Sequence, residues 1–281
     1  MVATRDRWPE LDRSLRILRE VCPAVPVVVV DNASTDGTAA RTCRSHPGVS
    51  VLALPSNRGA AARNVGARWA RTPFVAFCDD DSWWAPGALE EAAQLLRSNP
   101  ALGLVAGRVL VGPDATLDPT SASMAAGPWD LSWRRSPEGP RAVTGFLACA
   151  AVVRRSAFLA AGGFEPTFVI GGEEELVAAD LATAGWALAY SPGAVAHHHP
   201  SSARDAAGRR SRLARNAALT AVLRWSAAGS VRRWSRLVAG APVDPAGWRG
   251  LASACVALPW ALAERRRAPA AMESAFRATG G

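Results

Sequence analysis

Through the first 110 residues, short apolar runs alternate with segments whose apolar positions recur at helical spacing. Leu11, Leu15, Leu18 and Cys22 follow Pro9 with a helical period, and four consecutive valines over 27–30 then read as a strand buried on both faces. A helix over about 36–45, a strand over 49–54, an Ala-rich helix over 59–71 and a short buried strand over 74–78 come next. Pro86 opens a helix that ends near Asn99-Pro100, ahead of a strand over 102–110. This succession predicts an α/β fold, a doubly wound and mostly parallel sheet flanked by helices. The period is lost between 111 and 143, after which a strand over 143–153 is expected to return to the sheet. A helix then opens at Gly171-Gly172 and stops at Gly185, and residues 194–196 read as a further strand.

Composition narrows the class. Apolar residues make up 49% of the chain and mean hydropathy is +0.05, which suits a buried core and excludes disorder. The longest strongly apolar stretch, 251–263, contains Ser253 and Pro259, whereas a bilayer span needs ~20 residues, so no transmembrane helix is expected. No signal peptide is expected either, and the reading is of a cytoplasmic protein. Five cysteines without a CxxC pair read as buried, apolar-like thiols in a reducing compartment. All basic residues are Arg, and they are unevenly placed: residues 200–281 hold 14 Arg against 4 acids, a balance of +10, while residues 1–199 balance to −2. The basicity belongs to a C-terminal appendage, so the two parts need separate explanations.

A doubly wound sheet binds ligands beyond the carboxyl ends of its strands. The residues there are Thr4, Asp31, Asn57-Arg58-Gly59 and Asp79-Asp80-Asp81. Helix caps and turns account for Ser34, Thr35 and Asp36 but not for three consecutive aspartates after an apolar strand. Adjacent carboxylates repel by of order 1 kcal/mol per pair even in water. A divalent cation, Mg²⁺ or Mn²⁺, relieves that repulsion and bridges carboxylates to a phosphate. Three of the four histidines are contiguous, His197, His198 and His199, and strand alternation sends His197 and His199 to one side and His198 to the other. An imidazole suits the same ion; a structural zinc site is the weaker reading, because no Cys lies nearby. Glu173, Glu174 and Glu175 open a helix behind two glycines, which is favourable for the helix dipole and also for a general base at a crevice rim.

These stretches resemble glycosyltransferase family 2, the inverting nucleotide-sugar-dependent enzymes of GT-A fold. The matching segments are 2–7, 30–38, 57–66 and 77–82, then Gly162-Gly163-Phe164, Gly171-Gly172-Glu173-Glu174 and His197, covering about residues 2–200 in the family's order. The resemblance implies an enzyme of hexosyltransferase type with a divalent metal cofactor, taking a nucleotide-sugar donor and a hydroxyl acceptor of a cell-envelope glycan, glycolipid or metabolite. Thr4 and Asp31 would hold the nucleobase and Arg63 would reach the nucleotide. Asp79 and Asp80 would touch ribose and diphosphate, Asp81 with Asp79 would ligate the metal, and His197 would complete that site. Glu174 matches the catalytic base, one methylene longer than the Asp frequent there, with Glu173 as its alternative. Trp129 and Trp133 in the irregular segment suit stacking on a sugar ring as well as anchoring on the core.

The domain reading is a catalytic domain over 1–200, divided into a nucleotide-binding half (1–110) and an acceptor and metal-completing half (111–200), followed by an Arg-rich helical region over 201–281. Arginines alternating with Leu and Trp in that region suit peripheral contact with an anionic membrane and a lipid-linked acceptor; a helical lid packed on the catalytic domain is the competing account. A sugar-1-phosphate nucleotidyltransferase would share the sheet and metal but needs a Gly-rich phosphate loop near the N-terminus, which is missing. A nucleic-acid-binding module would leave the Asp and His clusters unexplained. Only three residues precede Thr4, whereas a buried strand takes ~5, so further apolar residues upstream of Met1 are expected.

Overall fold

The computed structural model describes residues 1–127, 141–200, 206–241 and 244–278. The chain runs β1 (Val2–Thr4), α1 (Trp8–Val21), β2 (Val28–Asp31), α2 (Thr38–Ser45), β3 (Ser50–Ala53), α3 (Ala62–Trp69), β4 (Phe74–Ala76), β5 (Cys78–Asp79), β6 (Ser82–Trp84) and α4 (Ala88–Ser98). It continues through β7 (Leu102–Val111), β8 (Thr116–Leu117), α5 (Pro119–Ala125), β9 (Arg141–Ala142), β10 (Ala151–Arg154), α6 (Arg155–Ala160), α7 (Glu173–Thr183) and β11 (Ala187–His198). Four helices follow: α8 (Ala206–Arg224), α9 (Ala227–Ala239), α10 (Pro245–Ala263) and α11 (Ala270–Ala278).

Two sheets carry the fold. The first is parallel, in the order β3-β2-β1-β5, and the valines of β2 are buried along their whole length, as their unbroken run requires. The second is mixed, in the order β4-β10-β7-β11-β6, with β7 and β11 parallel and the remaining pairs along that path antiparallel. The run expected as one strand over 74–78 is therefore two. β4 belongs to the second sheet, and at Phe77 the chain crosses to β5 of the first. The buried Phe77 ring packs edge-on against Phe158 and Phe164, which anchors the crossing.

The strand expected over 143–153 is also interrupted. A 3₁₀ turn at Ala148–Ala150, closed by the Ala150 amide on the Leu147 carbonyl at 3.0 Å, separates β9 from β10. The irregular segment holds a short helix as well. Asp118 caps α5, accepting from the Thr120 and Ser121 amides, with Pro119 in its first turn, a start signal legible in the residues themselves. Trp129 and Trp133 lie outside the described residues. Of the five thiols, all free, Cys78 and Cys149 are buried while Cys43 and Cys255 are exposed, so the expectation of buried cysteines holds for part of the set.

The C-terminal helices share core with the preceding fold. Phe168 and Leu176 pack with Leu219, Leu223 and Leu251, and Ala221, Trp225 and Met272 join the core built around Phe77 and Phe158. Arg224 forms a buried ion pair with Asp180 of α7 at 2.5 Å. Among the described residues no helix is long and apolar enough to cross a membrane.

Candidate active site

The carboxyl ends of β1 and β5 open on a cleft of about 360 Å³. Thr4, the last residue of β1, donates from Oγ1 to Asp80 Oδ2 at 2.9 Å. Arg7 extends one N–H group over two carboxylates, reaching Asp80 Oδ1 at 3.0 Å and Asp81 Oδ2 at 3.1 Å. Arg63, in the first turn of α3, ion-pairs with Asp79, its guanidinium 5.6 Å from the centre of the Phe164 ring. His198 Nε2 stands 3.2 Å from Asp81 Oδ1. Each aspartate thus has a cationic or ionisable partner. The mutual repulsion that argued for a metal is relieved in part by two arginines. Asp80 is 5% exposed, and burial pushes its carboxyl up to about 6, with the charge and hydrogen bond of Arg7 opposing that rise.

Asp79, Asp81 and His198 each offer one ligand atom, and these atoms lie within 4.8 Å of one another. Two carboxylates and an imidazole suit Mn²⁺ or Mg²⁺ with phosphate oxygens filling the remaining positions. Strand alternation does operate along β11, but it selects His198 and not the expected His197. The antiparallel register with β6 pairs His197 with Trp83, and the rings of His197 and His199 stack on that indole at centroid distances of 5.9 and 4.7 Å. The fourth histidine, His46, bonds Asp12 at 2.9 Å.

Asp31 stands beside Thr4 in the parallel register but is folded back on its own loop. It is 3% exposed and its Oδ1 accepts from both the amide and the hydroxyl of Ser34, a local turn. Asn32 lines the cleft in its place, accepting from the Arg58 amide at 2.7 Å and donating to the Gly59 carbonyl at 3.1 Å.

The three glutamates of α7 diverge. Gly172 at φ +81° caps the helix and turns the chain into it, which puts all three glutamates in its first turn, at the positive end of the helix dipole. Glu173 is 3% exposed, its Oε2 has no hydrogen-bond partner among the described residues, and burial raises its pKa. Glu174 is raised to about 8, first by burial and then by the neighbouring Glu173 charge. Arg63 favours the charged form of both, which ties this pair electrostatically to Asp79. Glu175 points the other way, 3.7 Å from Arg233 of α9, and burial raises it to about 7.

The loop ahead of α7 is strained and clamped. Val169 sits at φ 58°, ψ −72°, the centre of a γ-turn closed by the Ile170 amide on the Phe168 carbonyl at 2.7 Å. That backbone is rare for a β-branched residue and costs of order 1–3 kcal/mol. Two sides hold it. The Ala60 amide donates to the Val169 carbonyl at 2.5 Å, and a Cβ on Gly59 would lie 2.0 Å from that oxygen, so glycine is required there. From α8, the fully buried Asn216 donates to the carbonyls of Phe168 at 2.9 Å and Gly171 at 2.6 Å, and Arg215 donates to Thr167 at 3.0 Å. Arg209 and Arg212 of the same helix line the cleft. Sequence reasoning passes over Arg7, Asn32 and Asn216, and names His198 only as the member of the triplet that faces away from His197. Arg7 and Asn32 lie inside stretches that the motif reading covered, whereas Asn216 carries no local signal at all.

Residues 1–160 match the family model described as glycosyl transferase family 2. The chain belongs to this family. It is therefore a glycosyltransferase, and residues from the segments 2–7, 30–38, 57–66, 77–82 and 171–174 line the cleft just described. It is 27% identical over 241 residues to the N-acetylglucosaminyl-diphospho-decaprenol L-rhamnosyltransferase of Mycobacterium tuberculosis, covering 74% of this chain and 78% of that one. It is 34% identical over 205 residues to the pre-mycofactocin glycosyltransferase of the same organism, covering 70% of this chain but 42% of that longer protein. In fold it resembles a mannosyltransferase from Pyrobaculum calidifontis solved with GDP-Man and Mn²⁺, with TM-score 0.60, 22% identity, and coverage of 99% of this chain and 84% of that one. It also resembles TarS of S. aureus (residues 1–349), with TM-score 0.62, 16% identity, and coverage of 93% and 79%. The fold is GT-A, with helices appended at the C-terminus.

Proposed function

We propose that this glycosyltransferase is metal-dependent and inverting, and that it moves a sugar from a nucleotide-sugar donor to a hydroxyl group of a lipid-linked acceptor at the cytoplasmic face of a membrane. The observation that carries the reading is the convergence of Asp79, Asp81 and His198 within 4.8 Å at a cleft whose Arg63 also serves Glu173 and Glu174. The donor set fits a hard divalent ion. When bound, such an ion supplies positive charge against the oxygens of a leaving diphosphate.

The protein's own groups do the rest. Thr4, Asn32 and the rim of β1 accommodate the nucleoside, with Asp31 holding the loop beneath it. Arg7 and Arg63, released in part from the aspartates, offer their guanidinium donors to the diphosphate. Glu174 takes the proton of the acceptor hydroxyl as that oxygen attacks the anomeric carbon from the side away from the diphosphate, which inverts the centre. A carboxylate raised to about 8 is a strong enough base for a hydroxyl near neutral pH. Glu173 keeps Glu174 raised and is the alternative base. The lipid-linked acceptor is supported by the Mycobacterium tuberculosis rhamnosyltransferase, whose name specifies a decaprenol diphosphate substrate.

A thermal-shift panel of UDP-, GDP- and dTDP-sugars with and without Mn²⁺ tests the donor and metal together. A ligand held only by the folded chain raises its melting temperature, and one nucleotide is expected to do so only with the metal. No shift with any nucleotide sugar, at saturating Mn²⁺, would overturn the reading.

A further inference from the structure

The helix α10 is apolar on both of its sides. Its inner face, with Ala246, Gly250, Leu251 and Ala254 buried, packs on α8 so closely that a Cβ on Gly250 would lie 2.2 Å from the Ser211 carbonyl oxygen. Its outer face is formed by positions 248, 252, 255, 256, 259 and 262, which recur at helical spacing along one stripe and are all exposed. Trp248 is 46% exposed, Val256 84% and Leu262 59%, and the stripe carries no charged side chain. Arg249 is the single charged residue of the helix. An uncharged stripe about 21 Å long, from the ordinary helical rise, is the kind of exposed apolar surface that marks a contact. Among the described residues no helix is long and apolar enough to span a bilayer, and a stripe of this kind suits contact along a surface.

We infer that the outer face of α10 is where this enzyme docks on an anionic lipid bilayer. Charge selects the lipid. Exposed arginines bracket the stripe, Arg249 near its start and Arg266 with Arg267 beyond its end, with Glu264 the one acid between them. A second copy of the chain laid on the stripe, parallel or antiparallel, would bring arginine against arginine at the ends, whereas anionic headgroups meet both ends with opposite charge. Trp248 at one end has the amphipathic ring that settles at a headgroup boundary. The placement also suits the proposed acceptor, on which this inference rests for its purpose. α8 lies between α10 and the catalytic loop, touching Gly250 on one side and Gly171 on the other. A bilayer on α10 would therefore lie about one helix-packing distance, ~8–10 Å, beyond the helix that presents Arg209 and Arg212 to the cleft. Apolar contact and arginine attraction would then act together, as in two-signal peripheral anchoring.

Sedimentation of the full chain with vesicles of phosphatidylglycerol and phosphatidylcholine, against phosphatidylcholine alone, tests this. Binding to the anionic vesicles at low salt is expected, weakening about 5-fold for each of Arg249, Arg266 and Arg267 changed to Ser. Val256→Glu with Leu262→Glu should lower partitioning at least 10-fold, while Ala252→Trp should raise it severalfold. All these side chains are exposed, and Mn²⁺-dependent donor hydrolysis by the same samples should match the parent, which separates loss of docking from loss of fold. Equal partitioning of the parent and the double Glu variant would overturn the inference, as would no binding of the parent to anionic vesicles. A doubled mass in solution that the Val256→Glu change abolishes would assign the stripe to self-association instead. If vesicle binding fails while donor hydrolysis persists, the docking face is wrong and the proposed reaction stands; the converse result separates them the other way.

Discussion

Three aspartates line the cleft and two glutamates stand beside it, and the two groups live in different electrostatic worlds. Asp79, Asp80 and Asp81 at the end of β5 are held by Arg63, Arg7, Thr4 and His198, each through a direct contact. Glu173 and Glu174 at the start of α7 share the field of Arg63, but burial raises both, and one Glu173 oxygen has no partner among the described residues. One residue class is thereby split into two tasks. Carboxylates in direct contact with cationic side chains are placed to bind a cation or to yield their arginines to a diphosphate, even though burial raises Asp80 to about 6. Carboxylates raised towards neutrality are prepared to take a proton.

The largest effect should come from removing the proton acceptor. Glu174→Gln is expected to lower kcat by about 10²–10⁴ while donor affinity stays within a few-fold, because the aspartate side is untouched. Turnover near the parent's, read by nucleotide release, would move the role to Glu173. On the aspartate side, Asp81→Asn and His198→Ala should each raise the Mn²⁺ concentration needed for half-maximal activity by about 10–100-fold. His197→Ala, stacked on Trp83 on the far side of β11, should change it less than about 2-fold. Metal titrations of the three variants decide whether the alternation along β11 has been read correctly.

A smaller effect concerns stability. Between the ordinary glutamate range and about 8, the folded chain retains protons on Glu174 and Glu175 that the unfolded chain has released, so stability falls as pH rises through that window. Catalysis runs the opposite way, since the base must be ionised, and the rate should climb with pH towards about 8. Glu174→Gln should therefore melt higher than the parent at pH 8, with the difference shrinking as the pH falls towards the ordinary glutamate range. A melting difference independent of pH would contradict the raised carboxyl. Smallest of all, Thr4→Val leaves Asp80 with Arg7 alone, and should weaken donor binding about 5-fold, roughly one neutral-to-charged hydrogen bond, with kcat unchanged; isothermal titration with the donor measures it.

Much of this arrangement could be read from residues that sit in short, self-contained signals. The valines of β2, the aspartates after Cys78 and the glycines before Glu173 each state a strand, a strand end or a helix start within a few positions. What could not be read depends on partners far along the chain. Phe77 parts β4 from β5 because of rings at 158 and 164. The choice of His198 over His197 depends on the register between β11 and β6, which the triplet His197, His198 and His199 leaves ambiguous by one residue. Asp31 differs again: the Ser34 turn that engages its Oδ1 is local chemistry, written three residues along the chain.

Asn216 changes how the two ends of the gene product relate. Its amide supports the carbonyls on which the shape of the Val169 turn depends, so the segment that bears the proposed base takes its form from a helix outside the region matched by the family. Grafting the terminal helices of one such enzyme onto another, to borrow a new acceptor preference, would carry over the scaffold of the reaction centre as well. Chimeras that keep an amide donor at that point should remain active, and those that lose it should hold their nucleotide yet turn over poorly.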